Sequence, residues 1–266
     1  MSERPQKLHV SFHARPWGAY DLSPWFPRPS ERIGEVWLTA VPPLPLLIKF
    51  LFTTEALSVQ VHPGGPQGKT EMWCILEAEP GASLALGFKA PITRERLRSA
   101  SVTGEILNLL NFVPANKGDT VFIPAGTVHA LGAGIRLVEI QQNCDVTYRL
   151  YDYNRGRELH LDRGVAVSRL GPPDPPPQPV RLDSMRTRLV HCEYFSTERW
   201  EIPHAAQFPP APGTSHVLIA VEGTGRLNGE SYHAGEAWLM PEGAPVEVEP
   251  ERASVFLSTF APVLVH

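Results

Sequence analysis

The sequence predicts an all-β protein made of two small antiparallel modules, the first carrying a helical insertion. Three observations carry this expectation: a proline excess, many short strand-like apolar runs, and an internal repeat. Proline accounts for 28 of the 266 residues, roughly twice its usual share of about 5%. Proline breaks helix interiors and central strands, which argues against long bundles and coiled coils. Proline (28) and glycine (21) together still fall below the roughly 25–30% of a low-complexity chain. A hydrophobic share of 42% is enough for a proper core.

The elements follow in chain order. Apolar runs rich in β-formers at 44–52, 57–61, 120–123 and 135–140 are bounded by Gly or Pro and read as strands, and 147–153 alternates in the same way. Helical pattern is confined to 93–112, where Thr93 can cap the first turn and Ile106, Leu107, Leu109 and Leu110 form an apolar face. Six prolines lie between Pro172 and Pro179, so 171–180 reads as a stiff polyproline II linker. An SH3-type ligand is the competing reading, disfavoured because the segment sits between two structured halves. The second half offers strands at 217–221, 237–240, 246–249 and 255–260. Many short strands with turn signals between them point to barrels or sandwiches.

The repeat sharpens this. Gly118, Pro124, Gly126 and His129 have the form G-x5-P-x-G-x2-H. Gly235, Pro241, Gly243 and Val246 repeat it at an offset of 117, with valine in place of histidine. Upstream, Gly68, Glu71 and Glu77 align with Gly213, His216 and Glu222 at an offset of 145. The offsets differ by 28 residues, close to the length of the helical stretch at about 90–117. The first module therefore reads as the second with a helical insertion between its two motifs.

The G-x5-P-x-G-x2-H spacing resembles the second motif of the cupin family, double-sheet jelly rolls in which it brings a metal-binding histidine to the barrel mouth. The first cupin motif carries H-x-H and then a glutamate. Here Gln60, Val61 and His62 stand in that place, with Glu71 nine residues after His62. Strand alternation puts residues 60 and 62 on one face. Gln60, His62, Glu71 and His129 offer two nitrogens and two oxygens, a set that suits Zn2+, with Fe2+, Mn2+ and Ni2+ as competitors. Val246 cannot ligate, so the second module is expected to bind no metal and to serve packing.

The residues around these ligands, at 57–63, 68–73, 124–131 and 140–153, resemble the type I mannose-6-phosphate isomerases, as do Trp17, Gly18, 34–37 and 45–50. The resemblance covers most of 16–163 in the right order and fits the short bacterial form of the family. The proline cluster and the repeat divide the chain into a metal-binding catalytic cupin domain over 1–170, a 171–180 linker and a degenerate cupin domain over 181–266, and the second half resembles the family only loosely. The resemblance implies a zinc enzyme, one Zn2+ per chain, that interconverts mannose 6-phosphate and fructose 6-phosphate. The family's metal ligands carry over to Gln60, His62, Glu71 and His129, and its active-site arginine to Arg149. Lys69 and Ser58 match positions associated with the phosphate end of the substrate.

Aldose–ketose isomerisation through a cis-enediol requires a base of moderate pKa and a positive group facing the developing oxyanion. Arg149 suits the anionic intermediate or the phosphate. In a strand over 147–153, Tyr148 and Arg149 point to opposite faces. Asp145 shares parity with Arg149 and is a candidate base; Glu71, His62 or a zinc-bound water are the others. A structural Asp145–Arg149 ion pair and a solvated loop lysine at 69 are the plainer readings. Only eight residues separate His62 from Glu71, where many relatives have a longer loop, so a more open rim is expected.

Two other classes compete. A non-catalytic sugar-binding cupin would have lost a ligand or Arg149, and neither is lost. An Fe(II) cupin oxygenase favours mostly histidine ligands and an apolar pocket, whereas glutamine, lysine and arginine stand here. The net charge of −4 offers no basic field for nucleic acid. Cys74, Cys144 and Cys192 are few, odd in number and widely spaced, which speaks against a disulfide framework. No apolar run approaches the ~18 residues of a membrane span, and 1–5 lacks the apolar stretch of a signal peptide. The expectation is a cytoplasmic monomer or homodimer acting on a small sugar phosphate, with no nucleic acid and no membrane as partner.

Overall fold

The computed structural model describes residues 5–209 and 214–262. Residues 1–4, which bear on the signal-peptide reading, and Gly213 of the repeat alignment lie outside the described residues. The first half runs β1 (Gln6–Lys7), β2 (His9–Ala19), β3 (Ile33–Thr39), β4 (Leu46–Thr53), β5 (Val59–Val61), β6 (Glu71–Ala78), β7 (Ser83–Phe88), α1 (Arg94–Thr103), α2 (Ile106–Leu109), β8 (Leu110–Pro114), β9 (Thr120–Ile123), β10 (His129–Leu131), β11 (Ile135–Gln142), β12 (Tyr148–Tyr151) and α3 (Leu161–Val167). The second half runs β13 (Val180–Arg181), β14 (Arg186–His191), β15 (Ser196–Ile202), β16 (Ala206–Phe208), β17 (His216–Glu222), β18 (Thr224–Leu227), β19 (Glu230–His233), β20 (Ala237–Met240), β21 (Val246–Pro250) and β22 (Ser254–Phe260).

These strands form two face-to-face pairs of sheets. The first jelly roll sets the sheet β2-β3-β4-β11-β6-β9 against β12-β5-β10-β7-β8; the second sets β1-β20-β17-β22-β15-β14-β13 against β16-β21-β18-β19. The helices cover the outer face of the five-stranded sheet through Leu97, Ala100, Ile106 and Val165. The six- and seven-stranded sheets share one apolar core, in which Val36, Ile48, Phe50 and Val138 meet Val217, Ile219 and Leu257. The proline-rich segment therefore crosses between two fused modules. It begins against the first one, where the Gly171 carbonyl accepts the Phe88 N–H at 3.1 Å. The N-terminal β1 also crosses over, pairing with β20. Sandwiching explains the apolar run at 44–52, interrupted only by Lys49 and Pro45: β4 is buried at every position because both of its faces are covered.

The repeat holds residue by residue. Glu71 pairs with Ile123 in the first module and His216 with Met240 in the second, the same register at the same offsets. The motif glycines adopt the left-handed conformation in both copies, with φ of 91° and 96° at Gly118 and Gly235, and 85° and 74° at Gly126 and Gly243, which only glycine adopts without strain. The insertion sits at a hairpin tip: β18 and β19 are joined through Asn228 and Gly229, whereas β7 and β8 are separated by α1 and α2.

Several elements depart from expectation. The helical stretch is shorter than 93–112, because α2 ends at Leu109 and Leu110–Pro114 pairs with β7 as a strand. The β18–β19 hairpin was not among the expected strands: its four-residue strands carry little apolar pattern, although its Asn228-Gly229 turn, with φ of 46° and 84°, is a hairpin signal. The long β2 is half exposed and reads as polar, and α3 has no side-chain cap to mark its start.

Candidate active site and metal centre

One row across the five-stranded sheet collects three of the predicted residues. Gln60 of β5 stands opposite His129 of β10 on one side and Arg149 of β12 on the other. Directly opposed residues share a face, and His62 joins that face by alternation. The six-stranded sheet supplies the facing wall, with Glu71 from the start of β6 and a second row in which Glu139 lies between Lys49 and Trp73.

Each histidine ring is held by its outer nitrogen. His62 Nδ1 donates to the Val146 carbonyl at 2.9 Å and His129 Nδ1 to the Thr127 carbonyl at 2.8 Å. Both Nε2 atoms then turn their lone pairs inward, 3.6 Å and 3.3 Å from Glu71 Oε1. The Gln60 amide lies 3.3 Å from His129 Nε2, and a half-turn of that amide presents its oxygen. His62 Nε2 and Glu71 Oε1 are buried with no hydrogen-bond partner among the described residues. The ligand atoms of His62, Glu71 and His129 lie within 4.8 Å of one another. Orphaned polar atoms of this kind are costly to bury, and a cation at their centre satisfies them, so the residues fit a metal.

The protonation states agree. Burial, and then the Lys69 charge, lower His62 to about 4, and burial lowers His129. Burial alone would raise Glu71, but Lys69 and the two histidines hold it well below the usual carboxylate range. Neutral imidazoles and an ionised carboxylate are what metal ligation requires.

Beside the ligands lies a cavity of about 400 Å³, reached through Gln60 and Lys69 and lined by Arg15, Lys49, Ser58, Asp145, Arg149 and Arg157 among others. Its cations are mostly committed. Arg15 holds Glu35 at 3.0 Å, Lys49 holds Asp145 at 2.7 Å and Glu139 at 3.4 Å, and Arg157 forks onto Asp152. Lys69 is buried between Glu71 at 2.9 Å and Glu139 at 3.5 Å. Its burial alone would lower its pKa, but these two carboxylates raise it above the ordinary lysine value. Arg149 differs: Nη1 donates to the Glu158 carbonyl at 2.9 Å, Nε is buried without a partner, and it makes no ion pair among the described residues. Burial and the nearby Arg157 lower its pKa, as befits a cation without its anion.

The predicted residues thus converge, with two corrections to their partners. Asp145 pairs with Lys49, not with Arg149. Lys69 is not a solvated loop lysine but is buried against a metal ligand. Ser58 and Arg149 line the same cavity, while Tyr148 turns to the helical side and packs there. Glu139 and Lys49 were not assigned roles from the sequence. Their signal was a lone charge within an apolar strand run, which a strand covered on both faces admits only when paired.

No protein-family model matches the sequence. The chain is 33% identical to a mannose-6-phosphate isomerase of Bacillus subtilis, over 91% of this chain and 95% of the relative. The chain belongs to the mannose-6-phosphate isomerase family. A crystal structure of the Bacillus subtilis mannose 6-phosphate isomerase superposes with a TM-score of 0.85 at 26% identity, covering 96% of this chain and 99% of that one. A zinc-bound mannose 6-phosphate isomerase, 16% identical, shares the fold with a TM-score of 0.76, covering 97% of this chain and 100% of that one. Among the described residues, His62, Glu71 and His129 form a buried group that could hold a metal ion. No helix among the described residues is long and apolar enough to cross a membrane.

Proposed function

We propose that this chain interconverts mannose 6-phosphate and fructose 6-phosphate through a cis-enediol, with one Zn2+ per chain held by Gln60, His62, Glu71 and His129. It acts in the cytoplasm as a monomer or homodimer, its 1–170 portion catalytic and its 181–266 portion structural. The observation that carries this reading is the cluster of orphaned metal-ligand atoms on His62 and Glu71 next to a polar cavity that Gln60, Lys69 and the uncommitted Arg149 line.

A metal bound there supplies a Lewis acid for the sugar oxygens. The chain's own residues do the rest. Asp145 is our candidate base, with Glu71 and His62 as alternatives: burial pushes its carboxyl up, but Lys49 outweighs this and holds it below the ordinary aspartate value, so it is ionised and must loosen from Lys49 to accept a proton. The carboxylate takes the C2 proton of the aldose and returns it to C1, while the hydroxyl proton on O2 passes to O1. Arg149 places a fixed charge by the anionic oxygens or the phosphate. Ser58 and Lys69 line the same cavity; Lys69 stands between Glu71 and Glu139 and holds Glu71 ionised.

A coupled assay for fructose 6-phosphate formation from mannose 6-phosphate tests the reading. Turnover that disappears with a chelator and returns with Zn2+ is expected. No turnover by zinc-loaded protein would reject it. A non-catalytic cupin predicts binding without turnover, and an Fe(II) oxygenase predicts activity only with iron and oxygen.

A further inference from the structure

The short loop between His62 and Glu71 is anchored by a residue that touches neither ligand. Gln142 ends β11 and is buried. Its Oε1 accepts the Thr70 N–H at 2.8 Å, and its backbone N–H donates to the Thr70 carbonyl at 3.1 Å. Its Nε2 donates to the carbonyls of Gly65, at 3.1 Å, and Pro66, at 3.4 Å. One side chain thus grips both the bend of the loop and the residue just before Glu71.

The grip extends to the other motif. Thr70 Oγ1 accepts the Ala125 N–H at 3.3 Å, and the His62 carbonyl accepts the Gly126 N–H at 2.9 Å. Gly126 lies three residues before His129. The hydrogen bonds Gln142–Thr70–Ala125 and Gly126–His62 therefore tie together the chain segments bearing His62, Glu71 and His129.

We propose that Gln142 is a positioning residue that sets the spacing of the metal ligands through Thr70 and the 63–68 loop. The loop of eight residues closes on itself through Gly68 N–H to the Gly65 carbonyl at 2.8 Å and Lys69 N–H to the Pro63 carbonyl at 3.0 Å, and Gln142 ties that closed loop to the end of β11. Replacing Gln142 by leucine leaves the Thr70 N–H buried and unpaired and frees the Gly65 carbonyl. Groups hydrogen-bonded directly to metal ligands are worth roughly 10–100-fold in metal affinity; Gln142 acts one residue removed from Glu71, through Thr70, and the lower end of that range is expected. The inference rests on the metal-binding reading above.

The test uses the full chain and Co2+ or Zn2+ alone. Affinity is read by competition with a chromophoric chelator, and ligand geometry by the visible absorption of the Co2+ form. Circular dichroism and thermal unfolding of the metal-free variants control for folding. Wild type binds. Gln142→Leu is expected to bind about 10-fold more weakly, with shifted Co2+ bands and an unchanged far-ultraviolet spectrum. Gln142→Glu keeps the acceptor for Thr70 and is expected to recover part of the affinity and the wild-type Co2+ spectrum. Equal affinities and identical Co2+ spectra in wild type and Gln142→Leu would overturn the proposal while leaving the metal reading standing. Failure of wild type to bind either ion would overturn both. Should Gln142→Leu not fold, Gln142→Glu decides alone: wild-type affinity despite loss of both donated hydrogen bonds would overturn the proposal.

Discussion

The two jelly rolls hold corresponding strands in the same register, yet their interiors have opposite character. Where the first has Gln60 facing His129 and Glu71 beside them, the second has Phe208 facing Val246, with His216 in the place of Glu71. The first set leaves bare ligand atoms around a common centre. The second fills its centre with Trp200, Phe208, Met240 and Val246. His216 remains there with both ring nitrogens unpartnered among the described residues, its nearest aromatic neighbour Trp200 at 6.2 Å between centroids. A shared backbone thus decides which positions face inward, and three side chains decide whether the interior is a site or a core.

The largest test exchanges the two characters. His129→Val gives the first module the second module's residue and is expected to abolish metal binding and turnover while the chain stays folded; metal analysis with an isomerase assay checks both. Arg149→Ala is expected to abolish turnover while metal content stays near normal. Loss of the metal in that variant would instead make Arg149 part of the scaffold, through its strand pairing with Gln60. Asp145→Asn keeps the shape and removes the base, so kcat is expected to fall by roughly 10²–10⁴-fold with the metal retained.

The smallest effect lies in the second module. Burial lowers His216 to about 4, from 6.5 in the unfolded chain. The unfolded state therefore binds the extra proton first, and stability is lost as pH falls from about 6.5 to about 4. The loss from this one ring reaches about 3 kcal/mol at the acid end, at roughly 1.4 kcal/mol per pH unit. His216→Leu removes it. Denaturant unfolding at pH 7 and pH 5 is expected to show the variant gaining on wild type at the lower pH, with isomerase activity at pH 7 unchanged. An equal difference at both pH values would mean that His216 has a buried partner.

The contrast also accounts for what could be read in the sequence. The motif glycines and prolines announce the repeat because the left-handed turns at Gly118 and Gly126 and at their copies demand them. The clustering of Gln60, His62, Glu71 and His129 was legible because their residue types and motif spacing place them on facing strands. Asp145 and Lys69 were visible as charges, but their partners Lys49 and Glu139 lie on strands 96 and 70 residues away in the chain, and local parity cannot give cross-sheet pairing. The boundary between the modules was drawn at the proline cluster. The fused core across the six- and seven-stranded sheets and the crossover of β1 have no local signature, since a strand's apolar face does not reveal which sheet covers it.

The proposed activity depends on one metal centre in one module. Titration of metal-depleted protein with Zn2+, followed by turnover of mannose 6-phosphate, tests this most directly. Activity is expected to rise linearly and break at one equivalent per chain, with no recovery in His129→Val. Full activity without metal, a break at two equivalents, or recovery in His129→Val would contradict it.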